Sequence, residues 1–538
     1  MKILTAEEMG AADKRSVEMG VPVWTLMLNA GAAVGRFALS EFSGDGLVVV
    51  VCGKGNNGGD GIVAAVTMAE AGRNVRVALL GHGSELKGEA AAAWKAVVEL
   101  SASCEPMSPN ARDMGHPISI DIREVADEAA LGEALEGAEL VLDAVVGTGF
   151  KPPLRGLAAS ARDLIAKSNA DVVAVDLPSG WDADSTAMQA EGAFRADAVV
   201  TFAAPKLAHV FGQMTGTSAS VVVAPIGAPA GAIESKTGLH WAGTAKAIAE
   251  TPRAMDGNKG RFGHVLIVGG SFGKAGAPSM ASLAALRAGA GLVTAAVPRE
   301  IVPIVAAVAP ELMLQALEGD VDVLVKGMTV VGIGPGMGQE GATPEFIREF
   351  VRRVELPMVI DADGLNAFAD KTELLKQAAV GRTIVLTPHP GEMARLVGMT
   401  VKEVEADRVG LARKFATEHG VTLVLKGWRT LVAHPDGSMA VNTTGNPSMA
   451  KGGSGDILTG IVAAMLAQYK ENVAEAVEAA VFLHGLAGDF ASSAQDEHTV
   501  LATDTVGHLW EAFRARVTDA DGLTWLCGLP CGLAGERA

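Results

Sequence analysis

Short apolar runs, each closed by Gly, Pro or Asp, recur along the chain with helical stretches between them. In the first half they are LVVVVC, NVRVALLG, AELVLDAVVGTGF, ADVVAVDLPSG and ADAVVTFAAPK. Runs this short and this continuous predict strands of a parallel sheet covered by helices on both faces. A helix is predicted near the N-terminus, where Thr5 and Glu8 have capping-box spacing. The pattern fades after Ile226. Residues 228–258, rich in Gly, Ala, Pro and Thr, read as a linker and the entry to a second domain. The strand–turn–helix rhythm resumes with FGHVLIVGGSFGKAG and passes through TVVGIGPG, PMVIDADG, TIVLTPHPGE, VTLVLKG and TLVAH. It ends in a long apolar helix after TGNPSMAKGGSGD. The expected domains are therefore 1–227 and 259–517, with a loose tail over 518–538. In such sheets ligands bind beyond the carboxyl ends of the strands, so the loops there are where chemistry is expected.

Composition narrows this picture. The chain has 538 residues, 49% hydrophobic and 20% charged, enough to bury two large cores. Its formal net charge of -18 argues against a general nucleic-acid binder, because phosphate backbones require basic surface. A single small phosphorylated ligand, held by local glycines and one or two cations, stays compatible with that charge. Four cysteines (Cys52, Cys104, Cys527 and Cys531) are too few for a disulfide framework. Cys527 and Cys531 have no companion ligands and read as part of a solvated tail rather than a zinc site. No apolar signal core and no run of about 18 apolar residues is present, so a cytoplasmic protein without a membrane span is expected.

The sharpest local signal lies in the second domain. Gly452-Gly453-Ser454-Gly455-Asp456 precedes the long helix. Glycines let backbone N–H groups turn inward, and the helix start adds its positive end, so the segment can cradle a phosphoryl group. Asp456 then either caps the helix or takes a proton from a hydroxyl attacking phosphorus. Lys426-Gly427-Trp428-Arg429-Thr430 joins two predicted strands, as a plain hairpin or as a cation and amides offered to a nucleotide phosphate. His389, between two prolines, is more often structural than catalytic in type. Asp361 and Asp363 are turn residues or lie near the ligand or a Mg²⁺ ion. The Gly334–Gly338 segment demands close backbone approach to a helix or a ligand.

In the first domain Asn56-Asn57-Gly58-Gly59-Asp60-Gly61 follows the first strand, and a glycine loop of this kind binds a pyrophosphate or simply caps a helix. Asp143, before Gly147-Thr148-Gly149-Phe150, and Asp176, before Ser179, are two further acidic strand ends. Asn57, Asp143 and Ser179 offer hard oxygens suited to a cation such as K⁺, although each alone reads as an ordinary turn.

As a set, NNGGDGIVAA, DAVVGTGFKPPLRG, VVAVDLPSGWDAD and FRADAVVTFAAPK resemble the NAD(P)H-hydrate epimerase domain. GGSFGKAGAPSMASLAALRAGAGLVT, GPGMG, IDADGLN, LTPHPGEMARL, LKGWRTLV, GNPSMAKGGSGDILTGI and FLHGLAGD resemble the ADP/ATP-dependent NAD(P)H-hydrate dehydratases. The resemblance implies an α/β protein, a Rossmann-like α/β/α sandwich followed by a ribokinase-like domain. It implies epimerisation of the R and S forms of hydrated NADH and NADPH (NADHX and NADPHX). It further implies dehydration of the S form with ADP, giving AMP and phosphate. By the same carry-over Asn56, Asn57, Gly58, Gly59 and Asp60, with Gly147, Thr148, Gly149, Phe150, Lys151, Pro152 and Pro153, form the epimerase substrate loops. Asp176 becomes the acid/base, and Asn57, Asp143 and Ser179 hold K⁺. In the second domain Asp456 is the base; Ala277, Gly336 and His389 line the hydrate site. Lys426, Gly427, Trp428, Arg429, Thr430 and Gly455 hold the adenine nucleotide, which brings Mg²⁺. A homo-oligomer is expected. In VWTLMLNAG, Asn29 is retained, while Leu28 stands where the family often has an acidic residue. Two other readings are a ribokinase-like kinase of vitamin precursors and a first domain that only binds.

Overall fold

The computed structural model describes residues 1–103, 120–216 and 220–529; Cys104 and Cys531 lie outside them. It resolves into two compact units, Met1–Thr237 joined by the C-terminal segment from Thr518, and Gly238–Val517.

The first unit carries β1 (Leu47–Cys52), β2 (Val75–Leu80), β3 (Ile120–Val125), β4 (Ala138–Ala144), β5 (Asp171–Val175), β6 (Ala198–Phe202) and β7 (Ser220–Ala224). They pair in parallel in the order β7-β6-β5-β4-β1-β2-β3. Val48 to Cys52 are fully buried, as an apolar run without alternation requires when helices cover both faces. Strand order reverses between β4 and β1, which opens a crevice at their carboxyl ends. The predicted capping box at Thr5 and Glu8 opens the helix Ala6–Glu18. Just before it, Leu4 bridges to Lys206 and its N–H donates to the Pro205 carbonyl at 3.0 Å, tying this helix to the loop after β6. Gly31 allows the helix Val23–Glu41 to press on the helix Asn56–Glu70: a Cβ there would lie 2.5 Å from the Asp60 carbonyl.

The second unit contains β8 (Leu239–Trp241), β9 (His264–Val268), β10 (Leu292–Val297), β11 (Met313–Ala316), β12 (Val330–Ile333) and β13 (Met358–Ile360). It continues with β14 (Ile384–Leu386), β15 (Thr422–Leu425), β16 (Leu431–Ala433) and β17 (Met439–Val441). Their order is β11-β10-β9-β12-β13-β14-β15-β16-β17-β8, parallel from β11 through β15 and antiparallel at β15–β16 and β16–β17. The apolar helix Ser454–Gln468 packs beneath it, buried continuously from Ile457 to Ala467.

The segment read as a linker and the entry to a second domain carries β8, which pairs with β17, and the fully buried Trp241, whose ring meets Phe482 edge-on at 5.4 Å. A three-residue strand is too short to show periodicity. The segment read as a loose tail instead forms β18 (Thr524–Cys527), antiparallel to β7 with Thr524 opposite Val223. Trp525 packs on Phe37 with the rings tilted at 51° and their centroids 6.0 Å apart, and its indole N–H donates to Asp519 at 2.9 Å. The sheet edge at β7 gains a partner, which an exposed edge strand otherwise lacks. Among the described residues no helix is long and apolar enough to cross a membrane.

Candidate active sites

In the first unit the three expected loops meet at the β4–β1 crevice and at the end of β5. Asn56 to Gly61 form the first turns of a helix capped by Gly55, rather than a free loop. A Cβ on Gly147 would lie 2.9 Å from Asn57 Oδ1 and 3.0 Å from Asp176 Oδ2, so that glycine lets the loop after β4 close on both. Asp176 adopts φ 69° at the end of β5. Its Oδ1 accepts from Thr201 Oγ1 at 2.9 Å and from Lys206 Nζ at 2.7 Å. Its Oδ2 accepts from the Thr148 N–H at 3.0 Å and from the Thr148 hydroxyl. The His209 ring is 2.7 Å from the Asp176 carbonyl. Burial acts to raise the Asp176 carboxyl, but the charges of Lys206 and His209 and the hydrogen bonds outweigh it and hold it well below the usual carboxylate range. Lys206, Thr201, His209 and Asp13 were not singled out from the sequence; the Pro-Lys pair after β6 was the only signal.

Asp143 and Ser179 come together: Ser179 Oγ donates to Oδ1 at 2.6 Å, and the Ser179 N–H donates to Oδ2 at 2.7 Å. Burial pushes Asp143 up to about 6 against those hydrogen bonds. Ser179 also ties to the loop after β4, accepting from the Val146 N–H at 2.9 Å. Asn57 approaches one residue further on, at Gly147, and its Nδ2 is buried without a hydrogen-bond partner. Lys151, Pro152 and Pro153 are exposed, and Lys151 pairs with Asp182 and Asp184 at 2.6 and 3.0 Å. Asn29 donates to the Ile226 carbonyl at 2.8 Å, while Leu28 is exposed.

In the second unit Gly453, at φ 102°, caps the helix that carries Asp456 in its first turn. Lys426 Nζ donates to Asp361 Oδ1 at 3.0 Å and lies 3.8 Å from Glu392. A Cβ on Gly455 would be 3.1 Å from that ammonium, so the glycine loop and the Lys426 turn face each other. Asp361 is fixed by the hydroxyls of Thr387 at 2.7 Å and Thr459 at 2.9 Å. Burial, then the charge of Asp361, raises Asp456 to about 6, with Lys426 opposing. Asp456 is thus an ionisable carboxyl in the first turn of the helix. Arg408 braces the 426–430 turn from within, donating to the Leu425 and Lys426 carbonyls at 3.2 Å and to that of Trp428. Arg429 lies over the half-exposed Trp428 ring at 4.4 Å, and Thr430 Oγ1 closes the turn on Gly427 at 3.2 Å.

Gly336, at φ 68°, packs against Ala277: a Cβ there would be 3.0 Å from the Ala277 Cβ. His389 caps the helix Pro390–Val397, its Nδ1 accepting from the Gly391 N–H at 3.0 Å. Its half-exposed ring therefore carries the proton on Nε2. His484, in FLHGLAGD, has a buried Nε2 with no hydrogen-bond partner; burial and Lys426 lower it to about 4. Among the described residues no group of three His, Cys, Asp or Glu side chains could hold a metal.

Two parallel-rich α/β units, each with a carboxylate–lysine pair at its strand ends, define a two-domain α/β enzyme. Residues 24–208 match the YjeF-related protein N-terminus family, and residues 265–511 match the NAD(P)H-hydrate dehydratase family. The chain is 39% identical to the bifunctional NAD(P)H-hydrate repair enzyme Nnr of Moorella thermoacetica, over 95% of this chain and 96% of that one. It is 32% identical to that of Escherichia coli, over 96% and 94%. A crystal structure of ADP/ATP-dependent NAD(P)H-hydrate dehydratase from Bacillus subtilis, co-crystallized with ATP/Mg²⁺, is 30% identical, covering 50% of this chain and 95% of that one, with a TM-score of 0.45. The chain belongs to the family of bifunctional NAD(P)H-hydrate repair enzymes. Both halves of that family are present in it, which disfavours the vitamin-precursor kinase reading.

Proposed function

We propose that the first unit interconverts the R and S forms of NADHX and NADPHX. The second unit then dehydrates the S form with ADP, giving NADH or NADPH, AMP and phosphate. The observation that carries this reading is the placing of Lys426 Nζ against Gly455, one residue before Asp456 in the same helix start. A carboxyl near 6 is largely ionised at neutral pH, so Asp456 takes the hydroxyl proton while the oxygen attacks the terminal phosphoryl of ADP. Lys426 and the Gly455 amide meet the phosphate charge. Loss of phosphate, with loss of a proton from the neighbouring carbon, restores the ring double bond. Ala277 and Gly336 pack together where the hydrate is held, with His389 at the adjacent helix start.

Mg²⁺ supplies charge neutralisation on the phosphates when the nucleotide is bound. Asp361 is already committed to Lys426, Thr387 and Thr459, and Asp363 accepts from the Gly338 N–H at 2.8 Å, so these carboxylates would add little to holding the ion. In the first unit a single carboxylate with neutral side-chain oxygens beside it fits a monovalent cation better than a divalent one. Asn57, Asp143 and Ser179 would hold K⁺, which screens negative charge beside the substrate. Asp176 places a fixed negative charge at the hydroxyl-bearing ring carbon and favours its ionisation, flanked by the Asn56–Asp60 and Gly147–Pro153 segments.

The test is recovery of reduced-nicotinamide absorbance from purified hydrate, with ADP and ATP side by side, using wild type and Asp456→Asn. Recovery with ADP that Asp456→Asn abolishes is the expected result. Phosphorylation of the hydrate without recovery of absorbance would overturn the reading.

A further inference from the structure

We infer that Asp60 is the group that carries the proton in epimerisation, while Asp176 holds charge without exchanging it. The inference rests on the epimerase reading above. A carboxylate offers about four lone-pair positions. At Asp176 all are taken, by Thr201, Lys206 and the amide and hydroxyl of Thr148. Its side chain is 8% exposed and its partner Lys206 is 1% exposed. A saturated, ion-paired carboxylate has no site at which to take up a proton and no proton to give.

Asp60 is its opposite. It sits one helical turn after Asn56 and Asn57, on the same face of the helix that opens the crevice. Its carboxyl is half-buried and makes no hydrogen bond or ion pair with any described residue, and neither oxygen is sealed from solvent. The close contact at Gly31 fixes its backbone. The charged groups around it are Asp13 on the N-terminal helix, Asp176 after β5 and Lys206 after β6, with His209 beyond Asp176. Burial first, then the charges of Asp176 and Asp13, keep its carboxyl protonated well above the usual range, with Lys206 opposing. Two carboxyls whose surroundings drive them apart are the usual basis for separate acid and charge-holding roles.

The step balances. Hydration of the reduced ring places the hydroxyl on the carbon next to the ring nitrogen, whose lone pair stabilises a cation there. Asp60 gives its proton to that hydroxyl. The C–O bond breaks with its electron pair on oxygen, water leaves, and the nitrogen lone pair forms a C=N⁺ bond. Water adds to the other face, the C–O bond re-forms, and its proton returns to the Asp60 carboxylate. The negative Asp176, locked by Lys206, stabilises the cation throughout.

The experiment follows interconversion of separated R and S NADHX by the full chain between pH 7 and 9. It compares wild type with Asp60→Asn and Asp60→Glu. Wild-type kcat should fall by about tenfold per pH unit above the Asp60 titration, because the acid form is required. Asp60→Asn should lose about 10²-fold or more in kcat at pH 7, with little change in KM, and should show no alkaline limb. Asp60→Glu should keep part of the rate with the limb displaced. Wild-type kcat or an unchanged limb in Asp60→Asn overturns the assignment. If that variant fails to fold, an undisplaced limb in Asp60→Glu does so. If wild type itself does not exceed the uncatalysed rate, the epimerase reading fails and the role of Asp60 falls with it.

Discussion

Lys206 Nζ lies 2.7 Å from Asp176 Oδ1, and both side chains are almost wholly buried. Taking away one partner of such a pair leaves the other charge uncompensated in a poor solvent. Lys206→Met should therefore destabilise the first unit by about 3–5 kcal/mol at neutral pH. Lys206→Met with Asp176→Asn should lose less, because no charge is stranded. The Asp176 carboxyl is depressed in the fold, so the stability it brings is present above its unfolded value of 3.8 and disappears as pH falls through its folded value. The gap between wild type and Lys206→Met should narrow below that unfolded value. Hydrogen exchange at β5 and β6 amides in urea reads this out, and a double variant as unstable as the single one would refute the coupling.

At Asp456 the sign reverses. Its carboxyl is raised to about 6, so ionising it at neutral pH works against the fold. Asp456→Asn should lower the ADP-dependent dehydration rate by about 10²–10⁴-fold. It should also raise the melting temperature of the second unit at pH 8, by less at pH 5, and leave it nearly unchanged only below the unfolded value of 3.8. The dehydration rate of wild type should climb through pH 6 as the base ionises. A melting temperature that drops at pH 8 would show that Asp456 is a structural cap after all.

The two parallel sheets were legible because their strands are continuous apolar runs closed by glycine or aspartate, and the loops at their ends held the site candidates. Long-range partners were not legible. Lys206 reads as one more lysine until the fold buries it against Asp176 from thirty residues away. Asp361 read either as a turn residue or as a neighbour of the ligand or a Mg²⁺ ion, and the structure makes it the anchor of Lys426. His389 looked structural by type, and its ring does cap a helix. β8 and β18 escaped notice because three or four residues have no measurable period, and their partners β17 and β7 lie hundreds of residues away in sequence.

The proposed K⁺ site makes a separable prediction. Replacing K⁺ by the much smaller Li⁺ should slow epimerisation while ADP binding by the second unit stays constant. Asp143→Asn should abolish the difference between the two salts. Ser179→Ala frees the Asp143 carboxylate of its 2.6 Å donor and should leave a weaker response. Equal rates in both salts for wild type would remove the cation from the mechanism.

The returning strand β18 ties the end of the chain to the first unit's sheet. Trp525 is 6% exposed and Leu526 is fully buried, so both belong to that unit's core. Truncation after Val517 strips them away and leaves β7 as an open edge able to pair with other chains. Loss of a buried tryptophan alone costs about 3–5 kcal/mol, a large part of the stability of a typical domain. Truncated protein should therefore lose epimerisation at a lower temperature than full-length protein and aggregate on heating, whereas dehydration of S-NADHX should survive to the same temperature in both. Trp525→Ala should reproduce most of the loss without shortening the chain. If the truncated chain epimerises with undiminished heat resistance, β18 is an appendage and the first unit folds without it.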